Sequence, residues 1–200
     1  MDKFKLGGSI SLTYRTDNMI SKILARSLKD KFLIGVRTTT LEWDEVIIGF
    51  IESIDDSYFT LKEIDEYGKF IGNTILSFDD IVHLEYSDRY QRRLNFIYEN
   101  GMNLNPDNRT TIWKKQDALL PYFELTKKRQ NIVTLYLDED NYSTGKIIDY
   151  DEESIFIHMI GSDGNEDGFS CYRIENIIGL RYDGIEEQKI ELLYKNRDKF

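Results

Sequence analysis

The chain's strongest constraint is its match to itself. Shifted by 96 residues, 49–100 lies over 145–196 without a gap and pairs Gly49 with Gly145, Ile51 with Ile147, Asp55 with Asp151, Ile64 with Ile160, Gly68 with Gly164 and Gly72 with Gly168. Farther along, Ile81 meets Ile177, Leu84 meets Leu180, Tyr86 meets Tyr182, Tyr98 meets Tyr194 and Asn100 meets Asn196. Eleven identities in 52 positions compare with about three expected by chance from ordinary residue frequencies. Conservative matches extend the pattern: Asp56, Val82, Arg93, Leu94, Phe96 and Ile97 face Glu152, Ile178, Lys189, Ile190, Leu192 and Leu193. What recurs is glycine, turn aspartate and apolar core, so an internal duplication of one small module is expected.

Periodicity gives each copy the same plan. In the first, Asn18–Lys31 places Ile20, Ile23, Leu24 and Leu28 on one helical face behind the capping cluster Thr16-Asp17-Asn18. β-branched and aromatic runs then predict strands at Phe32–Thr38, Glu45–Ile54, Tyr58–Ile64, Ile75–Tyr86 with an interruption near Asp79-Asp80, and Leu94–Tyr98. In the second, a helix is expected at Asp117–Lys128, with Pro121 taken to fall in the first turn. Its strands are expected at Ile132–Leu137, Thr144–Tyr150, Ser154–Ile160, Phe169–Tyr182 and Ile190–Tyr194. Gly68 and Gly72, like Gly164 and Gly168, mark a hairpin needing positive φ. Residues 5–15, with Ile10, Leu12 and Tyr14 in alternation, would add a strand at the start. The resulting expectation is a mainly β chain: 1–99 a first barrel with N-terminal helix, 100–111 a linker rich in Asn with Gly101 and Pro106, and 112–200 a second barrel with N-terminal helix. A helix and five strands, the second long enough to bend, is the layout of an SH3-like or Sm-like five-stranded barrel, which manages exposed edges by closure.

Charge and composition narrow the function. Lys and Arg number 26 against 36 Asp and Glu, a net charge of −10. The halves share it, with 13 basic against 17 acidic residues in 1–100 and 13 against 19 in 101–200. Phosphate-backbone binding draws its affinity from Lys and Arg, so DNA and anionic membranes are disfavoured, and RNA is left only a local site. No apolar run approaches the roughly 20 residues of a membrane span, and the first residues lack a secretory stretch. The single cysteine, Cys171, allows no intrachain disulfide. A cytoplasmic protein without cofactor follows as the expectation.

Residues 49–62, Gly-Phe-Ile-Glu-Ser-Ile-Asp-Asp-Ser-Tyr-Phe-Thr-Leu-Lys, resemble the first motif of the Sm-like (LSm/Hfq-like) family, most of all its bacterial RNA-chaperone branch, Hfq. The shared pattern is glycine, an aliphatic residue two on, an apolar residue and Asp at five and six on, then an apolar strand; Gly145, Ile147, Tyr150, Asp151, Ile155 and Ile157 repeat it. The resemblance implies two tandem Sm-like barrels, with Gly49 and Gly145 permitting a bent second strand and Asp55 and Asp151 closing the turn into the third. It also implies assembly by pairing of barrel edge strands. The family's RNA pocket does not carry over residue by residue. Phe59 and Ile155 stand where an asparagine is usual outside Hfq. Ser77-Phe78 and Arg173-Ile174 stand where Arg-Gly is usual, and Ser77-Phe78-Asp79 where Hfq has Tyr-Lys-His.

Candidate sites are few. Asp163, Asn165 and Asp167 before Gly168 fit the opening of a calcium loop, but its twelfth position is Ile174 rather than Glu, and Tyr67, Lys69 and Ile71 replace the ligands in the other copy. A polar hairpin is the simpler reading, with no metal. His83 and His158 occupy non-equivalent positions and Cys171 has no partner that spacing nominates, so no catalytic residue is assigned. Arg89, Arg92 and Arg93 beside Tyr86, with Arg173, form the best RNA-binding candidate, because guanidinium charge with aromatic faces suits single strands. A solvated loop is the simpler reading of 89–93. The sequence thus favours a non-catalytic binding or scaffold module with a protein partner or self-assembly. An RNA-binding protein with a relocated site, and an enzyme with a site between the barrels, are the alternatives.

Overall fold

The computed structural model describes residues 18–40, 45–113 and 116–200. The strand expected at 5–15 lies outside them. Helix α1 (Met19–Asp30) starts where the Asn18 side chain accepts a hydrogen bond from the Ser21 N–H at 2.8 Å, and it stops at Lys31, which adopts left-handed geometry. Strands β1 (Ile34–Arg37), β2 (Ile47–Ile54), β3 (Tyr58–Ile64) and β4 (Phe70–Ser77) follow, then a 3₁₀ turn at Phe78–Asp80 and β5 (His83–Tyr86). Helix α2 (Arg89–Asn100), strand β6 (Thr110–Trp113) and helix α3 (Gln116–Arg129) lead to β7 (Val133–Tyr136), β8 (Tyr142–Tyr150), β9 (Ser154–Ile160) and β10 (Glu166–Arg173). A turn at Ile174–Asn176, β11 (Gly179–Tyr182) and α4 (Ile185–Lys195) complete the helices and strands.

The chain is mainly β, in two antiparallel sheets of order β4-β3-β2-β1-β5 and β10-β9-β8-β7-β11-β6. Strand for strand the first five positions agree, and β6 adds a sixth beside β11. Backbone singularities recur in both units. Ser87 and Asp183, like Gly68 and Gly164, stand 96 residues apart and have positive φ, as do Lys31 and Gln130 at the ends of α1 and α3. Each second strand carries a bulge, between Ile51 and Ser53 and between Ile147 and Asp149. At these bent strands glycine is obligatory: a Cβ on Gly49 would lie 2.1 Å from the Lys62 carbonyl oxygen, and one on Gly145 2.0 Å from that of His158.

Three expectations need correction. Leu94–Tyr98 and Ile190–Tyr194 are not strands but parts of α2 and α4. Buried residues recur three apart, Gln91, Leu94 and Ile97 in one and Glu187, Ile190 and Leu193 in the other, with Lys189 also buried, so a helical face outweighs the local alternation. The five strands common to the two sheets arise because each long run, 75–86 and 169–182, breaks into two strands at a 3₁₀ turn. Closed barrels are not seen: in neither sheet do the terminal strands pair with each other among the described residues, and β4 and β5 occupy opposite edges. Pro121 is the sixth residue of α3, past the first turn, where it forgoes one helical hydrogen bond. Burial of Leu119 and Phe123 on the same helix offsets that loss.

Two compact units result, one holding the described residues up to Asp65 with Phe70–Gln91, the other Glu66–Lys69 with Arg92–Phe200. In the first, Leu24, Ile34, Val36, Ile51, Phe59 and Leu61 form the core. In the second, Leu119, Phe123, Val133, Leu135, Ile155 and Leu180 do so. The division runs through α2. Span 100–111 contains a 3₁₀ turn at Gly101–Asn103, the buried Leu104 and the start of β6.

Within the second unit, α2, α4 and the turn at 66–69 share a small apolar cluster that includes Ile97, Leu193, Tyr67 and Phe96. Three ion pairs flank it: Arg93 meets Asp163 at 2.9 Å, and Lys189 meets Glu66 at 2.8 Å and Glu186 at 3.0 Å. Burial opposes the charge on Lys189, but hydrogen bonds to the two glutamates outweigh it and raise its pKa.

Candidate functional site

β4 and β10 end their sheets, and no strand lies beyond either among the described residues. Such an edge offers unpaired N–H and C=O groups to an incoming chain. Alternation decides which side chains accompany them. Ser170 and Tyr172 are opposite the core residues Ile157 and Ile155, whereas Phe169 and Cys171 are opposite His158 and Phe156, on the outer face.

That outer face is aromatic. The Phe169 ring stacks on His158 at 4.7 Å and 23° and on Phe156 at 5.6 Å and 19°, while remaining 62% exposed. Tyr194 of α4 meets His158 edge-on at 6.2 Å. Two cations flank Tyr194, Lys146 at 4.8 Å and Arg197 at 4.7 Å from the ring centre. Burial lowers the pKa of Lys146. Glu166 balances the cluster, lying 3.3 Å from Arg197 and 3.8 Å from His158 Nε2. In the first unit the equivalent edge mixes aliphatic and aromatic residues: Ile75 is 70% exposed, with Phe70, Ile71 and Tyr58 also exposed and Lys62 over the Phe70 ring.

The residues singled out from the sequence belong to several elements. Arg89, Arg92 and Arg93 occupy the first turns of α2, a helix rather than a loop. Arg93 is committed to Asp163 and lies over the Phe200 ring at 5.8 Å. Tyr86 ends β5 against Phe32, and Arg173 ends β10, 3.8 Å from Glu175. In the calcium-like loop, Asp163 accepts hydrogen bonds from the N–H and the side-chain amide of Asn165 besides meeting Arg93, while Asp167 and Gly168 form a bulge. Among the described residues no three His, Cys, Asp or Glu side chains are grouped to hold a metal ion. The turn residues have plain structural surroundings. Asp151 accepts from the N–H groups of Glu153 and Ser154 and from the Ser154 hydroxyl, which holds its carboxyl below the usual range. The Asp55 N–H donates to the Tyr58 carbonyl across the equivalent turn.

Phe156, Phe169, Tyr194, Lys146 and Arg197 were missed by sequence reasoning. The signal was the duplication itself. At the same register the first copy has Thr60 for Phe156, Asn73 for Phe169, Lys62 for His158 and Phe50 for Lys146, so the aromatic row is a departure from the shared scaffold. Comparisons with family models, with curated proteins and with solved structures return no match. No helix among the described residues is long and apolar enough to cross a membrane.

Proposed function

We propose that the chain is a non-catalytic binding module of two tandem Sm-like units whose sheet edges, above all β10, take an extended strand of a protein partner. The observation that carries the reading is the open β10 edge backed by the exposed Phe169–Phe156–His158 row. Main-chain hydrogen bonds at an edge supply affinity, and side chains on alternate positions supply selectivity. Exposed apolar residues on an edge strand are a liability that proteins usually blunt with charge or cover, and β4 and β10 carry Ile71, Ile75 and Phe169 instead. The Sm-like assignment is supported by the helix ahead of the first strand, the shared strand order and the glycines that leave no room for a Cβ at the bend.

Single-stranded RNA is the second reading. It is favoured by the stacked row with Lys146 and Arg197 alongside, since bases stack on such faces. It would centre the contact on Lys146 and Arg197 rather than on Arg89, Arg92 and Arg93.

Affinity purification from the native cell, with and without ribonuclease, separates the two. A protein partner retained after nuclease and lost with Phe169→Ser supports strand binding. Loss of every partner on nuclease treatment would transfer the site to RNA.

A further inference from the structure

We infer that the β10 edge is complementary to itself, so that two copies of this chain join their second units edge to edge through an antiparallel β10–β10 ladder. This rests on the reading of β10 as a strand-binding edge and names a second copy as an occupant.

Charge and face both favour this pairing. β10 reads Glu166-Asp167-Gly168-Phe169-Ser170-Cys171-Tyr172-Arg173, acidic at its start and basic at its end. Turning a second copy end for end brings the acidic start of each strand to the basic end of the other. An antiparallel pair also keeps directly opposed side chains on one face. With Ser170 opposite Ser170, Phe169 lies opposite Cys171 and Asp167 opposite Arg173, each pair occurring twice. Phe169 and Cys171 are both exposed and both on the outer face, so the pairing covers apolar surface beside Phe156.

Neighbouring registers lose this. Centring on Cys171 sets Asp167 against Glu175, two like charges. Centring on Phe169 sets Asp167 against Cys171 and leaves Arg173 opposite Asn165. The bulge at Asp167–Gly168, where Gly168 has φ +84°, turns the strand end. The regular ladder is therefore confined to Phe169–Cys171, and the ion pair depends on the reach of Arg173. Arg173 has that freedom, since its side chain is 73% exposed and its contact with Glu175 is 3.8 Å long.

The equivalent edge of the first unit lacks the property. At the positions of Asp167, Phe169, Cys171 and Arg173 β4 carries Ile71, Asn73, Ile75 and Ser77, with no charge to set a register. Of these two equivalent edges, only β10 carries the charges that would set a self-pairing register.

A ladder this short buries less than the roughly 1,000 Å² of a stable complex. Dimerisation in the micromolar to high-micromolar range is expected, read by sedimentation velocity of the full chain over that range. Asp167→Arg alone, or Arg173→Asp alone, sets two like-charge pairs across the axis and should weaken the dimer about tenfold or more. The double variant D167R/R173D should restore it. So should mixing the two single variants, because each then meets the opposite charge at both pairs. Both positions are exposed, so unchanged thermal midpoints are expected to exclude misfolding. A wild-type chain that stays monomeric up to about 1 mM, or a dimer indifferent to these charges, overturns the inference. Either result leaves the nuclease experiment free to decide the strand-binding reading on its own.

Discussion

Gly145 and Gly49 are the residues on which each bent sheet depends most directly. Because a Cβ there would overlap a carbonyl oxygen of the next strand, Gly145→Ala should lose about 2–4 kcal/mol in urea denaturation. The hairpin glycines divide in a way the sequence does not show. Gly68 has φ +71° and a Cβ there would lie 2.7 Å from the backbone of Tyr98, whereas Gly72 has open space and an ordinary φ. Gly68→Ala should therefore cost at least about 1 kcal/mol, and Gly72→Ala should stay within about 0.5 kcal/mol of wild type. Asp151 supplies a pH signature. Its carboxyl pKa is depressed by N–H donors, so its contribution is full above the ordinary carboxylate value of about 4 and fades as pH falls through the lower folded value. The melting-temperature gap between wild type and Asp151→Asn should be present at neutral pH and close on acidification. A gap constant down to pH ~2 would contradict the assignment.

At the scale of elements, the strands Tyr58–Ile64 and Ser154–Ile160 are legible from the sequence to the residue, and so is the break near Asp79-Asp80. The helices α2 and α4 are not, because Leu94, Phe96 and Tyr98 alternate like a strand while the burial that decides the matter belongs to Gln91, Leu94 and Ile97. Their seat depends on neighbours far along the chain: Lys189 is only 7% exposed and meets Glu66 across 123 positions. No window of sequence contains such a pair. Lys189→Met should cost about 1–2 kcal/mol, less than a fully buried pair because Glu66 is half in water. A double-mutant cycle with Glu66→Gln should return a coupling of at least about 0.5 kcal/mol; strict additivity would show that the two do not interact.

For the molecule as a whole, the shared glycines and turn aspartates describe a scaffold, and the two sheets diverge on their outer faces. Phe169 and Phe156 could have been found by asking which apolar residues of one copy face polar residues of the other. Of the basic residues the sequence nominates, Arg93 belongs to an ion pair with Asp163, a contact spacing cannot reveal. The proposed meeting point of this chain with a partner is β10. Amide hydrogen exchange of β10, measured on the free protein and on the protein recovered with its nuclease-resistant partner, tests that claim most directly. Slowed exchange within Phe169–Arg173 in the complex, with β9 unchanged, is the predicted result. Protection elsewhere, with β10 exchanging as fast as in the free protein, would contradict it.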